Sequence, residues 1–252
     1  MSQLVLDALT LRFGGLTAVD AVSFSVERGQ IFTMIGPNGA GKTSIFNMIS
    51  RLYQPSAGRI FFEDIEITRK LAHDVAELGI ARTFQNVELF DNASVLHNLL
   101  VGRHRHRTTN VLEDILFLPK VRQAEYVNRR RVEEIIDFLD LQRYREQLVV
   151  NLPYGVRKVC ELGRALCTEP KLLLLDEPSS GLNVEETDDM VYWINDIRAE
   201  LGITVLMVEH DMTLVNRVSD RVLALNYGQV LALGTPKEVS HDPSVIAAYL
   251  GT

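Results

Sequence analysis

The stretch Gly36-Pro37-Asn38-Gly39-Ala40-Gly41-Lys42-Thr43-Ser44 constrains this chain more than any other. Two glycines bracket four residues and Lys-Thr follows, the complete phosphate-loop pattern. A strand-like run, Ile31 to Ile35, precedes it, and an apolar helix carrying Ile45, Phe46, Met48 and Ile49 follows. The pattern needs that setting. Glycines let the backbone curl until successive N–H groups point inward, and the helix N-terminus adds partial positive charge, which together make a nest for phosphate oxygens. Lys42 is expected to reach the terminal phosphates and the Thr43 hydroxyl to hold Mg²⁺. A glycine-rich turn that merely precedes a helix fits poorly, because chance rarely supplies lysine, hydroxyl and strand together.

With 252 residues and 46% hydrophobic content the chain has ample material for a buried core, in one large domain or a core plus a subdomain. A net charge of -7 argues against nucleic-acid binding driven by overall charge. No apolar run approaches the ~20 residues of a membrane span, and Met1 to Leu11 alternates like a strand, without the layout of a signal peptide. A soluble chain is expected, with any membrane role exercised through a partner. Cys160 and Cys167 lie on one predicted helix, too far apart along it to bond. Buried thiols in a reducing compartment are the expectation.

Leu4, Leu6, Val22, Phe24 and Val26 alternate with polar neighbours and predict short antiparallel strands, and Gly58 to Thr68 repeats that character. Phe13, just before Gly14-Gly15, is placed either for core packing or for stacking on a base, and local sequence favours packing. Gln85 ends a strand-like run and by itself is an ordinary surface amide. Val87 to Gly102 reads as apolar helix, and most of Val111 to Leu141 as helix too. The basic runs 103–107 and 129–131 lack interleaved aromatics and have acidic residues close by, so they read as solvated faces. Leu172 to Leu175 is a wholly apolar run ending in Asp176-Glu177, a buried parallel strand that delivers two carboxylates at its C-terminal edge. A helix from Val184 to Leu201 presents Val184, Thr187, Val191, Ile194 and Ile197 on one face. Strand Ile203 to Val208 ends in Glu209-His210-Asp211, a hairpin turns at Tyr227-Gly228, and Thr235-Pro236-Lys237-Glu238 has capping-box spacing for a further helix.

In this order the motifs resemble the ATP-binding subunits of ABC transporters, over essentially the whole chain. Phe13 matches the adenine-stacking aromatic, residues 36 to 43 the Walker A loop, and Gln85 the glutamine that links nucleotide to membrane subunit. Leu172 to Asp176 matches Walker B, Glu177 the catalytic carboxylate, Ser180-Gly181-Leu182-Asn183 the loop after it, and His210 the switch histidine. A nearer resemblance is to bacterial importers of branched-chain and other hydrophobic amino acids. It is carried by Arg12 to Gly15, Arg82-Thr83-Phe84-Gln85, Glu209-His210-Asp211-Met212, and the ending Asp242 to Ile246 through Ala248 to Gly251. The resemblance implies ATP and Mg²⁺. Phe13, Asn38, Gly39, Ala40, Gly41, Lys42, Thr43 and Ser44 would bind the nucleotide, Thr43, Gln85 and Asp176 the metal, and Glu177, His210, Gln85 and Lys42 would serve catalysis.

The implied fold is α/β: a P-loop NTPase, RecA-like core of mainly parallel strands, with an antiparallel β layer and an inserted helical subdomain. A single ABC ATPase domain is expected over 1–252, with the core at 1–87 and 159–252 and the helical part, carrying the signature, at 88–158. That signature, usually Leu-Ser-Gly-Gly-Gln, stands here as Leu152-Pro153-Tyr154-Gly155-Val156, with a helix expected to begin near Val156. Proline removes a hydroxyl and an N–H donor, so the resemblance implies a second, distinct ATPase with an intact signature, although a homodimer in isolation is allowed. It also implies permease subunits gripped by a groove along Gln85 to Leu100, a substrate-binding protein, and residence on the cytoplasmic face of the inner membrane. Urea or amide import, lipid or lipopolysaccharide export, and a soluble ABC ATPase of nucleic-acid maintenance are the alternatives. The last would carry a second cassette or a long coiled coil, which this chain lacks, and a small-molecule kinase has no use for a switch histidine.

Overall fold

The computed structural model describes residues 2–83, 87–106 and 119–250. The chain divides into two compact units, Met1–Gln85 with Lys171–Thr252, and Asn86–Pro170. Among the described residues the first unit supplies all ten strands: β1 Ser2–Phe13, β2 Leu16–Glu27, β3 Ile31–Ile35, β4 Ala57–Phe62, β5 Ile65–Glu66, β6 Ile80–Arg82, β7 Leu172–Asp176, β8 Thr204–Val208, β9 Arg221–Asn226 and β10 Gln229–Gly234. Four form a sheet in the order β2-β1-β4-β5, antiparallel throughout. The other six run β10-β9-β3-β8-β7-β6, parallel except for the β9–β10 hairpin.

The two N-terminal strands are twelve residues each, longer than their pattern predicts. The reason lies in bulges. Register shifts fall between Leu6 and Leu9, where Ala8 adopts positive φ, and between Leu9 and Leu11, opposite which Ala21 does the same. Each bulge moves the inward phase by one residue, so a continuous strand reads as two short ones. The central strands behave oppositely: β3, β7 and β8 are buried at every position, as expected for a parallel sheet covered on both faces.

Between the two sheets lies the helix Lys42–Ile49, whose Ile45, Phe46, Met48 and Ile49 join one core with Leu4, Leu6, Phe62, Met34, Leu174 and Leu206. Glu63 ties the sheets at the surface, accepting from Arg28 and Lys171 at 2.5 Å each. The Lys171 hydrogen bond, opposed by partial burial and aided by the charges of Lys171 and Arg28, holds the Glu63 carboxyl below its ordinary range. The unfolded chain therefore takes up the proton first as pH falls, and the stabilisation present above the usual glutamate range is lost through the native value. Glu63→Gln is expected to cost about 1 kcal/mol at neutral pH, a deficit in melting temperature that closes in acid.

In the second unit, helices Val95–Gly102, Pro119–Phe138 and Tyr154–Leu166 pack around Val95, Leu99, Val132, Ile136 and Leu162. Residues 87–94 are not helical, contrary to the apolar pattern. The Asn98 amide captures the Phe90 N–H and carbonyl, and Ser94 caps the helix that starts after it. Val95, Leu96 and Leu99 are buried in this core, whereas Phe90 is exposed. Of the proposed groove, then, these three residues offer no surface. Described members of the basic runs find acidic partners within the unit. Arg103 is buried against the Cys167 carbonyl and Glu169, and Arg129, Arg130 and Arg131 pair with Glu125, Glu134 and Glu169. Burial pushes the Cys160 and Cys167 thiols up to about 12, which keeps both inert.

Candidate functional site

Three neighbouring parallel strands, β3, β7 and β8, end at the same edge of the six-stranded sheet, and each leads into a predicted motif. β3 runs into the glycine-rich loop. Gly36 takes φ +147°, where a Cβ would sit 2.2 Å from the Leu225 carbonyl, and Gly41 takes φ +101°, where one would sit 2.7 Å from the Ala18 carbonyl. Both are therefore positions that only glycine fits. The loop is pinned by Ala40 N–H to the Pro37 carbonyl and by Gly228 N–H to the Ala40 carbonyl. Asn38, Gly39 and Thr43 are exposed, Ser44 is half-buried and Ala40 is buried. Lys42 is folded back over the loop, donating to the carbonyls of Gly36 at 2.6 Å and Pro37 at 3.0 Å. Its burial lowers the ammonium's pKa, an effect opposed by the negative charges of Glu177 and Asp176 nearby.

At the end of β7, Asp176 is buried and paired with Arg82 at 2.8 Å. Arg82, at the end of β6, also donates to Asn47 at 2.6 Å and Ser50 at 3.1 Å and lies 5.5 Å over the Phe46 ring, so it fastens the phosphate-loop helix to Asp176. Burial pushes the Asp176 carboxyl above the ordinary range, opposed by the hydrogen bond and charge of Arg82. The sequence pattern does not single out Arg82 beyond family resemblance. Its signal is a lone cation in a strand otherwise destined for the core.

Glu177 adopts φ 50°, a left-handed conformation rare for a side chain of its size. Its N–H is held by the Val208 carbonyl at 2.9 Å. The turn that follows is closed by Ser180 N–H to the Glu177 carbonyl, and Leu182 N–H reaches the Ser179 carbonyl. Asn183 then caps the helix Val184–Ala199, with Glu186 completing a capping box. Asparagine caps as well as aspartate, so this departure leaves the helix start intact. Val184 itself is exposed at the first turn, while Met190, Val191, Ile194 and Ile197 face inward, which corrects the predicted apolar face. At the end of β8, exposed His210 brings Nδ1 to 3.9 Å from Glu177 Oε1. Beside it, Glu209 is fully buried and accepts from Ser179 N–H and Oγ–H and from the N–H groups of His210 and Asp211. The sequence places Glu209 beside His210 and among the residues of the resemblance but assigns no role to it or to Ser179. An acidic residue directly behind a buried strand was the available sign.

Phe13 ends β1, half exposed, with Tyr53 edge-on to it at 5.4 Å, and Tyr53 N–H is anchored on the Asn47 carbonyl at the end of the phosphate-loop helix. Local sequence favoured packing for Phe13. The open face is instead compatible with stacking. Gln85 lies outside the described residues. In the second unit Leu152 is buried and Pro153, at φ −54° and ψ 152°, stands at the cap of the helix Tyr154–Leu166, which thus starts two residues before Val156. Proline's fixed φ suits that position and supplies no capping side chain. Tyr154 is exposed, Gly155 buried and Val156 half-buried. Arg157 braces the turn on the carbonyls of Leu152 and Val150.

The ABC transporter family model matches residues 19–180. The chain belongs to the ABC transporter family as an ATP-binding cassette, the class of subunit that hydrolyses ATP to drive transport. A model described as the branched-chain amino acid ATP-binding cassette transporter matches residues 229–252. The high-affinity branched-chain amino acid transport ATP-binding protein BraF of Pseudomonas aeruginosa is 42% identical over 253 aligned residues, covering 100% of this chain and 99% of that protein. LivG of Escherichia coli strain K12, which carries the same description, is 38% identical with the same coverage. Among solved structures, a nucleotide-free ATP-binding cassette from an ABC transporter matches with a TM-score of 0.87 at 31% identity. An ATP-binding cassette in its ADP conformation matches with 0.86 at 30%. In both cases each chain is covered completely. Among the described residues no helix is long and apolar enough to cross a membrane.

Proposed function

We propose that this chain powers an importer of branched-chain or other hydrophobic amino acids. The site reading is carried by one observation: β3, β7 and β8, adjacent in one sheet, bring the loop, the paired carboxylates and His210 to one edge. The substrate class is supported by full-length relatives described as high-affinity branched-chain amino acid transport proteins. In this reading the adenine stacks on Phe13 and residues 38–44 hold the phosphates, with Lys42 released from its own loop to meet them. Mg²⁺ suits the donor set, since the Thr43 hydroxyl and the Asp176 carboxylate are hard oxygens, with Gln85 as the further ligand. Among the described residues no cluster of three or more His, Cys, Asp and Glu forms a dedicated cage. That is the usual condition of an ion that takes most of its ligands from phosphates and water. Bound there it supplies charge neutralisation on the phosphates.

Glu177 acts as general base on the attacking water, and His210 orients it and meets the terminal phosphate. Phosphoryl transfer to water then rests on positioning and charge stabilisation rather than on a covalent intermediate. The loop Ser180 to Asn183 faces a second ATPase across the nucleotide. Because Pro153 and Tyr154 weaken what this chain donates in return, its partner is a distinct subunit with an intact signature, and the pair works with permease subunits at the cytoplasmic face of the inner membrane, served by a substrate-binding protein. ATP hydrolysis measured for the chain alone and after mixing with its partner ATPase and permease tests this, alongside uptake of labelled leucine. Stimulation and uptake are expected, and no stimulation overturns the shared-site reading. Phe13→Ala is expected to weaken nucleotide binding by about 10- to 100-fold, the equivalent of ~1–3 kcal/mol of stacking, measured with a fluorescent ATP analogue.

A further inference from the structure

We infer that Glu209 is a positioning residue that sets the geometry of Glu177 against His210 and links both to the loop Ser180 to Asn183. The inference rests on the reading of Glu177 as the base. The Glu209 side chain is fully buried and uses all of its acceptor capacity. Oε1 takes Ser179 N–H at 2.8 Å and Ser179 Oγ–H at 2.6 Å, while Oε2 takes His210 N–H at 2.8 Å and Asp211 N–H at 3.1 Å. One oxygen therefore holds the turn after Glu177 and the other holds the loop of His210. Charge-assisted bonds of this kind are the stronger class.

Ser179 is well placed to pass on that restraint. Two residues upstream, Glu177 sits in its left-handed conformation, clamped to the Val208 carbonyl. Three residues downstream, Leu182 N–H closes on the Ser179 carbonyl. A strained backbone persists only when its surroundings over-determine it, and the Val208 carbonyl and the Glu209 carboxylate are the restraints on either side. A shift of the 180–183 loop moves Ser179, and through one carboxylate it moves the backbone that carries His210. None of these contacts involves the phosphate loop, so the restraint should govern turnover and leave nucleotide binding alone.

The test uses the full chain, with steady-state ATPase kinetics, fluorescent ATP-analogue binding and thermal melting for Glu209→Gln, Ser179→Ala and Glu177→Gln. Glutamine turns one acceptor into a donor facing N–H groups, so Glu209→Gln is expected to lower kcat at least about tenfold, with KM and analogue affinity within about threefold. Ser179→Ala removes a single bond and is expected to lower kcat about three- to tenfold at unchanged KM. It decides the matter if Glu209→Gln does not fold. Loss of kcat together with affinity, in proportion to lost folded protein, would reduce Glu209 to a structural residue and overturn the inference. If Glu177→Gln is inactive while both other variants turn over normally, only this inference falls. If Glu177→Gln turns over normally, the reading of the base falls first.

Discussion

Glu177→Gln is expected to lower kcat for ATP hydrolysis by on the order of 10²- to 10⁴-fold, the range of a positioned general base, with nucleotide affinity nearly unchanged. The substitution is close to isosteric and keeps an oxygen toward His210, whose Nδ1 lies 3.9 Å from Glu177 Oε1 in the native chain. What it removes is the basic lone pair. Binding is spared because the loop and Lys42 are held by hydrogen bonds to backbone carbonyls and the Phe13 face by Tyr53, none of which the substitution alters. The left-handed φ of 50° gives a second handle. Glu177→Gly would relieve that conformation and remove the carboxylate together, so a variant more stable yet inactive is expected. Phosphate release and analogue binding measured on the same preparations decide it. An unchanged rate in Glu177→Gln would remove Glu177 as the base.

The parts of this molecule legible in the sequence are those whose physics is local. The phosphate loop announces itself because its glycines, lysine and hydroxyl are contiguous, and Gly36 and Gly41 are dictated by carbonyls within van der Waals reach. β7 is legible because both its faces are buried and its residues are accordingly all apolar up to Asp176. The capping box at Thr235 and Glu238 forms as spaced. What escaped depends on partners distant along the chain. Arg82 meets Asp176, and Glu209 meets Ser179, only because parallel strands bring their ends together. No window of neighbouring residues contains both halves of either pair. The bulges at Ala8 and Ala21 escaped for a related reason, since they are visible only as a phase slip in alternation. The segment 87–94 escaped because Asn98 takes up backbone groups of Phe90 that a helix would have satisfied itself.

Arg82→Met is expected to destabilise the chain by about 3–5 kcal/mol, the cost of breaking a buried ion pair from one side. Both partners are largely shielded from water, with side chains 8% and 3% exposed. Methionine keeps the stem against Phe46 but strands the Asp176 carboxylate, which burial already pushes upward in pKa. At about 2–4 °C per kcal/mol for a chain of this size the melting temperature should fall by roughly 6–20 °C. The double variant Arg82→Met with Asp176→Asn removes both charges and is expected to recover much of that loss, because the larger share of it is the unpaired carboxylate rather than the net value of the pair. Arg82→Lys separates the two effects. Lysine supplies the charge but not the planar fork that reaches Asp176, Asn47 and Ser50 at once. It should therefore retain more stability than methionine while loosening the helix Lys42–Ile49 from the carboxylate. A melting temperature for Arg82→Met within two or three degrees of the native chain, roughly 1 kcal/mol, would mean that water reaches Asp176 and that the pair does not hold the loop's helix in place.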